Sequence, residues 1–243
     1  MSLAADAEAR RVIFVTEGRD AKTIEALAAD LLAHGCPPEQ ITSVSIDMSP
    51  AFIKGVTSEL PNAQITFDKF NVIWHANAAV DKTRRIEQRT DKSLKGMRWT
   101  LLKDAFSLKP SAGAALHGLI NAPKLTRTAR AWIYKEQLRE LLGQKQINVM
   151  RESLKHWCVC VMRSKVEAMK EVAGLVRRHM EGIVAWAQTR QTNGFLEAIN
   201  GLFQAAKRRA RGFRSLSTIR TVIFLIAGKL NFQAINPHAR QPT

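Results

Sequence analysis

Asp47 and Asp68 each stand where a short apolar run stops, Ile41 to Ile46 ahead of the first and Gln64 to Phe67 ahead of the second. A carboxylate at such a place can do one of two things. In open α/β sheets the functional crevice lies outside the carboxyl ends of the strands, and an Asp there can hold a hard cation such as Mg²⁺ through oxygen. Equally, Met48-Ser49-Pro50 begins a helix that Pro61 halts, and Asp is a good helix cap. A third acid, Glu197, lies on a helical pattern from about Thr192 to Arg211. At roughly 100° per residue, Phe195, Leu196, Ile199, Leu202, Phe203 and Ala206 gather on one face, and Glu197, Asn200, Gln204, Arg208 and Arg211 gather opposite. Glu197 is therefore either a solvated acid on a surface helix or a carboxylate near a phosphate-holding run made by Lys207, Arg208, Arg209 and Arg211.

The elements that would carry these residues follow from spacing. Arg11 to Thr16 is a β-branched, apolar strand closed by Glu17-Gly18. Asp20 then caps a helix in which Ile24, Leu27, Ala28, Leu31 and Leu32 recur at helical spacing until His34-Gly35. Strand, helix, strand, helix, strand through Phe67 is an α/β opening, and the crossover helix implies parallel strands on either side of it. Beyond Phe70 the strand signals fade. Asn71 to Thr90 is a helix with a basic outer surface (Lys82, Arg84, Arg85, Arg89), and helical patterns continue from Leu94 to Trp186. Asp47 and Glu197 are 150 residues apart. If they share a site, the intervening helices leave the sheet and return to it. The domains expected are residues 1–74 as the first part of the core, 75–190 as a helical insertion and 191–243 as final core helices.

Composition narrows the partner. A net charge of +16 points first to nucleic acid, because Lys and Arg gain affinity by releasing counterions from phosphate. The charge is uneven: Met1 to Asn62 holds 5 basic and 9 acidic residues, whereas Ala63 to Met162 holds 18 and 8. Three cysteines without C-x-x-C spacing suggest neither a disulfide framework nor a zinc site. The six histidines form no ligand spacing. With no signal-peptide pattern at Met1 to Arg10 and no apolar run long enough to span a bilayer, the expected setting is cytoplasmic, away from membranes.

The runs SIDMSPAFIKGVTSELPNAQITFDKF, RTARAWIYKEQLRELL and TNGFLEAINGLFQAAKRRARGF resemble, in the same order, the transposases of bacterial insertion sequences of the ISL-three group. The resemblance implies a ribonuclease-H-like sheet carrying a D-D-E triad, interrupted by a large helical insertion. It makes Asp47 the second Asp and Glu197 the Glu, both metal ligands, with Mg²⁺ as cofactor and transposon-end DNA as partner. Two such ions about 3.5–4 Å apart stabilise the attacking and leaving oxygens of an in-line displacement at phosphorus. Water or a 3′-hydroxyl attacks, so no Ser, Cys or His nucleophile is needed. Within the insertion, Trp99, Trp132, Trp157 and Tyr134 are either core residues or aromatics that stack on an unpaired base.

Two departures accompany the resemblance. The family's first Asp belongs to a segment upstream of the strand ending at Thr16, as does its zinc-binding and helix-turn-helix region. Asn71 also stands where the family has His in D-x-x-H, and Asn does not titrate. Both read as an N-terminally truncated or decayed copy. Glu17, after an apolar strand, is the remaining acid that could stand in. The expectation is a catalytically incomplete transposase fragment. The alternative is an inert basic protein that binds DNA or a partner, such as a full-length transposase. Without its first strands the sheet is expected to leave Arg11–Thr16 unpaired or forced against Ile41–Ile46.

Overall fold

The computed structural model describes residues 1–189, 194–213 and 215–232. Two strands open the chain, β1 (Ser2–Asp6) and β2 (Arg11–Thr16), and they pair with each other antiparallel from Ser2↔Thr16 to Asp6↔Arg11. The hairpin turn is built locally. Asp6 Oδ1 accepts from the backbone N–H groups of Glu8 (3.0 Å) and Ala9 (2.8 Å), and Arg10 adopts a φ of 49°. This corrects the expectation that Arg11–Thr16 is unpaired or lies against Ile41–Ile46. The sequence Ser-Leu-Ala-Ala-Asp has no β-branched residue, so the strand exists because of its partner, not its propensity.

Asp20 caps helix α1 (Ala21–Ala33), its side chain accepting from Thr23 N–H, as the sequence suggests. Strand β3 (Ser43–Ile46), helix α2 (Pro50–Glu59) and strand β4 (Gln64–Phe67) follow at the expected places. Among the described residues the strands make two separate two-stranded sheets, β1 with β2 and β3 with β4. The single parallel sheet joining β2 to β3 through α1 is therefore corrected. The hairpin supplies β2 with its ladder, and the apolar residues of the two sheets serve different cores. The architecture is mixed α/β, with far more helix than strand.

The chain divides into two compact units, residues 1–65 with 191–243, and residues 66–190. In the first unit, helices α10 (Gly194–Arg209) and α11 (Leu216–Ala227) join the hairpin in one core of Val12, Val15, Ile199, Phe203, Ile223 and Ala227. A second core gathers Ile24, Ala28, Val56 and Leu60, with Val44 and Ile46 of β3 packed beside it. Gly55 lets α2 approach α1 closely: a Cβ there would meet Ile24 side-chain atoms at 2.9 Å. The second unit is helical apart from the end of β4. Its long helix α3 (Lys69–Glu87) is followed by α4 (Arg98–Leu102), α5 (Pro110–Ile120), α6 (Arg127–Leu141), α7 (Ile147–Met162), α8 (Glu167–Arg178) and α9 (Met180–Thr189).

Helix α3 packs on α6 and α8. Val72, Ala76 and Val80 from α3 are fully buried, as are Leu138 of α6 and Met169 of α8. Trp132 and Trp157 belong to this core, and the indole N–H of Trp157 donates to the Tyr134 carbonyl at 3.0 Å. Arg84, expected on the basic outer surface, is buried instead. Its guanidinium donates twice to Asp81 Oδ1, at 2.9 and 2.7 Å, and once to Gln88, so its charge is neutralised within the helix.

Candidate functional site

Asp47 follows β3 directly and is exposed. Its Oδ1 accepts from Ser49 N–H at 2.9 Å, an Asx turn ahead of α2. The N-cap position of α2 is Ser49, without a side-chain capping bond, and Pro50 occupies the first helical turn. Asp47 therefore shapes the entry to α2 with one oxygen and leaves lone pairs of both free for another partner.

Asp68, the second strand-end acid, has a different fate. It is buried, 2% exposed, and caps α3 by accepting from Phe70 N–H at 2.9 Å. Asn71 lies in the first turn of the same helix, its N–H bonded to the Asp68 carbonyl. Glu17 is exposed at the end of β2, beside Gly18, which needs its φ of 93° for the turn. The Gly18 carbonyl accepts from Ser2 Oγ at 2.8 Å, which ties this turn to β1.

Glu197 is exposed in the first turn of α10, where a negative charge also complements the helix dipole. The apolar face opposite is narrower than the spacing suggests. Ile199 and Phe203 are buried and Phe195 packs against them, but Leu202 is 57% exposed. Thr192 and Asn193, the start of the T-N-G run, lie outside the described residues. Lys207, Arg208 and Arg209 are exposed in the last turn of α10, and Arg211 follows with a φ of 54°, exposed as well. Eleven residues separate Glu197 from Arg208, so at 1.5 Å per residue the carboxylate and the guanidinium share a stripe but lie about 16 Å apart along it. The basic run does not flank the carboxylate. It continues the same surface away from it, over a length comparable to a few nucleotides at about 3.4 Å each along a duplex strand.

Asp47 and Glu197 thus belong to one compact unit but to elements that serve its two different cores. Among the described residues no group of three His, Cys, Asp or Glu side chains is gathered for a metal ion. The donor chemistry of the pair still suits Mg²⁺, a hard ion commonly held by one or two carboxylates together with water and substrate phosphate. Burial lowers the pKa of His75 and of His179, the latter with help from the nearby Arg178 charge; His179 packs edge-on against Phe67 with centroids 5.2 Å apart. Among the described residues, no helix is long and apolar enough to cross a membrane.

Sequence reasoning passed over Trp74 and left Trp99 open between core and base stacking. Both are exposed, at 65% and 62%. The signal for Trp74 was present in the period, since it shares the i, i+4, i+8, i+11 stripe of α3 with Ala78, Lys82 and Arg85.

Comparison with known proteins gives one consistent result. The chain is 26% identical over 218 residues to the transposase for insertion sequence element IS1001 of Bordetella parapertussis, a match covering 84% of this chain and 52% of that protein. It is likewise 26% identical over 247 residues to the transposase for insertion sequence element IS1557 of Mycobacterium tuberculosis (strain CDC 1551 / Oshkosh), covering 88% of this chain and 54% of that one. The chain thus spans about half the length of these curated relatives. No solved structure matches it. A family model described as a transposase, of the DDE type and ISL3 group, matches residues 1–223, and the chain belongs to that transposase family.

Proposed function

We propose that this chain contributes two carboxylates, Asp47 and Glu197, and a basic DNA-holding surface to metal-dependent DNA strand cleavage and strand transfer on a ribonuclease-H-like core, and that these 243 residues alone are catalytically incomplete. The observation that supports the reading is the exposure of both acids within one compact unit of a chain of the DDE transposase family. Asp47 has one oxygen committed to Ser49 N–H and keeps acceptor capacity; Glu197 projects from a helix whose basic C-terminal turn can hold phosphates downstream. When bound, Mg²⁺ supplies Lewis-acid stabilisation of the oxygens at phosphorus. Asp47 and Glu197 would hold it, and Lys207, Arg208, Arg209 and Arg211 would position the strand. Two carboxylates alone would hold Mg²⁺ weakly, since the ion dehydrates reluctantly and demands near-ideal octahedral geometry. The runner-up is an inert DNA-binding or partner-binding protein able to associate with a longer transposase, a role that the net charge of +16 would serve without any metal.

Iron-mediated backbone cleavage separates the two readings. With Fe²⁺ replacing Mg²⁺, and with hydrogen peroxide as oxidant and ascorbate to regenerate Fe²⁺, hydroxyl radicals should cut near both Asp47 and Glu197, and Asp47→Asn or Glu197→Gln should abolish cutting at both places. Cutting at neither, or at one independently of the other, would reject the shared site. Nicking of insertion-sequence end DNA by the chain alone is expected to be undetectable. Nicking that requires Asp47 and Glu197 would overturn the incompleteness and make Glu17→Gln the next variant to assay.

A further inference from the structure

Helices α3 and α4 enclose a groove of about 630 Å³ in the helical unit, and the two exposed tryptophans, Trp74 and Trp99, both line it. Large exposed indoles are uncommon on a surface that has no use for them, and two in one groove make an apolar feature rimmed by charge. The charge is cationic. Lys82, Arg85, Arg98 and Lys103 line the groove against a single acid, Asp81.

That acid is already committed. Arg84 holds Asp81 Oδ1 at 2.7 Å, and Arg98 approaches Oδ2 at 3.6 Å while its guanidinium carbon sits 4.9 Å from the Trp99 ring centroid. Lys82 pairs with Glu171 at 2.8 Å, but both side chains are more than half exposed, and such pairs exchange readily for a stronger anion. Asn77, which lines the same groove, has a carboxamide oxygen without a hydrogen-bond donor among the described residues.

We infer that this groove binds a single-stranded segment of DNA, its unpaired bases stacked on Trp74 and Trp99 and its phosphates held by Arg85, Lys103 and Lys82. The inference rests on the DNA-acting reading given above and adds the form of DNA and its place. Stacking needs a free π-face, which a paired and stacked duplex base does not offer. Indoles interleaved with cations are the composition of single-strand grooves. From Trp74 to Arg85 the stripe runs about 16 Å along α3, enough for more than one nucleotide. An apolar protein partner would bury the tryptophans but would leave Arg85 and Lys103 without anions, so charge complementarity favours the nucleic acid.

Fluorescence anisotropy of the 243-residue chain tests this with two labelled probes, an oligo-dT of about 20 nucleotides, longer than the usual site size of such grooves, and a duplex of equal length. Trp74→Ala and Trp99→Ala are each expected to lower single-strand affinity about tenfold, the scale of one lost base stack, with duplex affinity changed less than about twofold. Trp→Phe at either position should retain most of the binding, because a π-face remains. If the alanine variants melt early by circular dichroism, Arg85→Glu serves instead, with single-strand affinity expected to fall more than duplex affinity. Unchanged single-strand affinity in the double alanine variant, or equal losses on both probes, would overturn the inference and leave the DNA-acting reading intact. Failure of the unaltered chain to bind either probe at low salt would overturn both. Self-association by analytical ultracentrifugation that disappears on Trp74→Ala would instead make the groove an interface between copies, and would overturn it too.

Discussion

Lys135 shows how much a single residue depends on its surroundings. Its side chain is fully buried, yet its Nζ donates to the Leu101 carbonyl at 2.6 Å, pairs with Glu136 at 2.7 Å and lies 5.7 Å from the Trp132 ring centroid. Burial lowers its pKa below the usual 10.5, with Glu136 opposing that shift. The unfolded chain therefore holds this proton more tightly than the folded one. Where the two differ, below pH 10.5, the contribution of Lys135 to stability rises with pH. Lys135→Met should remove that dependence, so urea melts of the two proteins should diverge in favour of the unaltered chain as pH rises toward 10.5. Lys135→Ala should cost about 2–4 kcal/mol, since it leaves a cavity, an unpaired Leu101 carbonyl and an uncompensated Glu136. Unaltered melts for both variants would show that the ammonium is not part of the core.

At the scale of elements, the α1–α2 contact is governed by Gly55. Replacing it with Ala gains about 1 kcal/mol of helix propensity. The added methyl, however, would sit 2.9 Å from the Cβ and Cγ1 of Ile24 and 3.2 Å from the Ala21 carbonyl. Neither Ile24 Cβ nor a helical carbonyl can move without the helix. Overpacking of this kind costs about 1–3 kcal/mol, so Gly55→Ala should lower the urea midpoint. A raised midpoint would mean that α1 and α2 separate at little cost. Propensity alone argues for the opposite outcome, which is why a glycine in the middle of α2 is informative.

For the molecule as a whole, charge decides the expected behaviour toward DNA. With 37 basic and 21 acidic residues, and the excess confined to the chain beyond Asn62, duplex binding should be tolerant of sequence and carried by phosphate contacts. A logarithmic plot of affinity against salt should be linear, with a slope near −0.9 for each phosphate engaged. Six to ten contacts would lose roughly a thousandfold or more between about 50 and 200 mM salt. A gel-shift titration with no loss of affinity across that range would remove counterion release from the account. Charge reversal of Lys207, Arg208 and Arg209 together should flatten the slope by about three if all three meet phosphate, and leave folding unchanged, because all three are exposed.

The local sequence determined what local physics can determine: the Asp20 cap, the end of α1 before Gly35, Pro50 at the start of α2, and the apolar runs that became β2, β3 and β4. It also carried the family resemblance, because the motifs around Asp47 and Glu197 are contiguous stretches. Other features were decided only when distant segments met. Ser2–Asp6 became a strand through pairing with Arg11–Thr16, though two alanines give it little intrinsic preference. Arg84 became a core residue because Asp81, three residues earlier, supplied its counter-charge beneath the packing of α6 and α8 on α3. Asp47 and Asp68, indistinguishable as strand-end acids, separated into an exposed carboxylate and a buried cap. The five tryptophans carry the same side chain, yet Trp132, Trp157 and Trp186 are core while Trp74 and Trp99 face solvent. Periodicity tells which residues of a helix share a face. Only the neighbours that cover that face decide whether it is core or surface, since burial is the removal of area from water by segments far away in the chain.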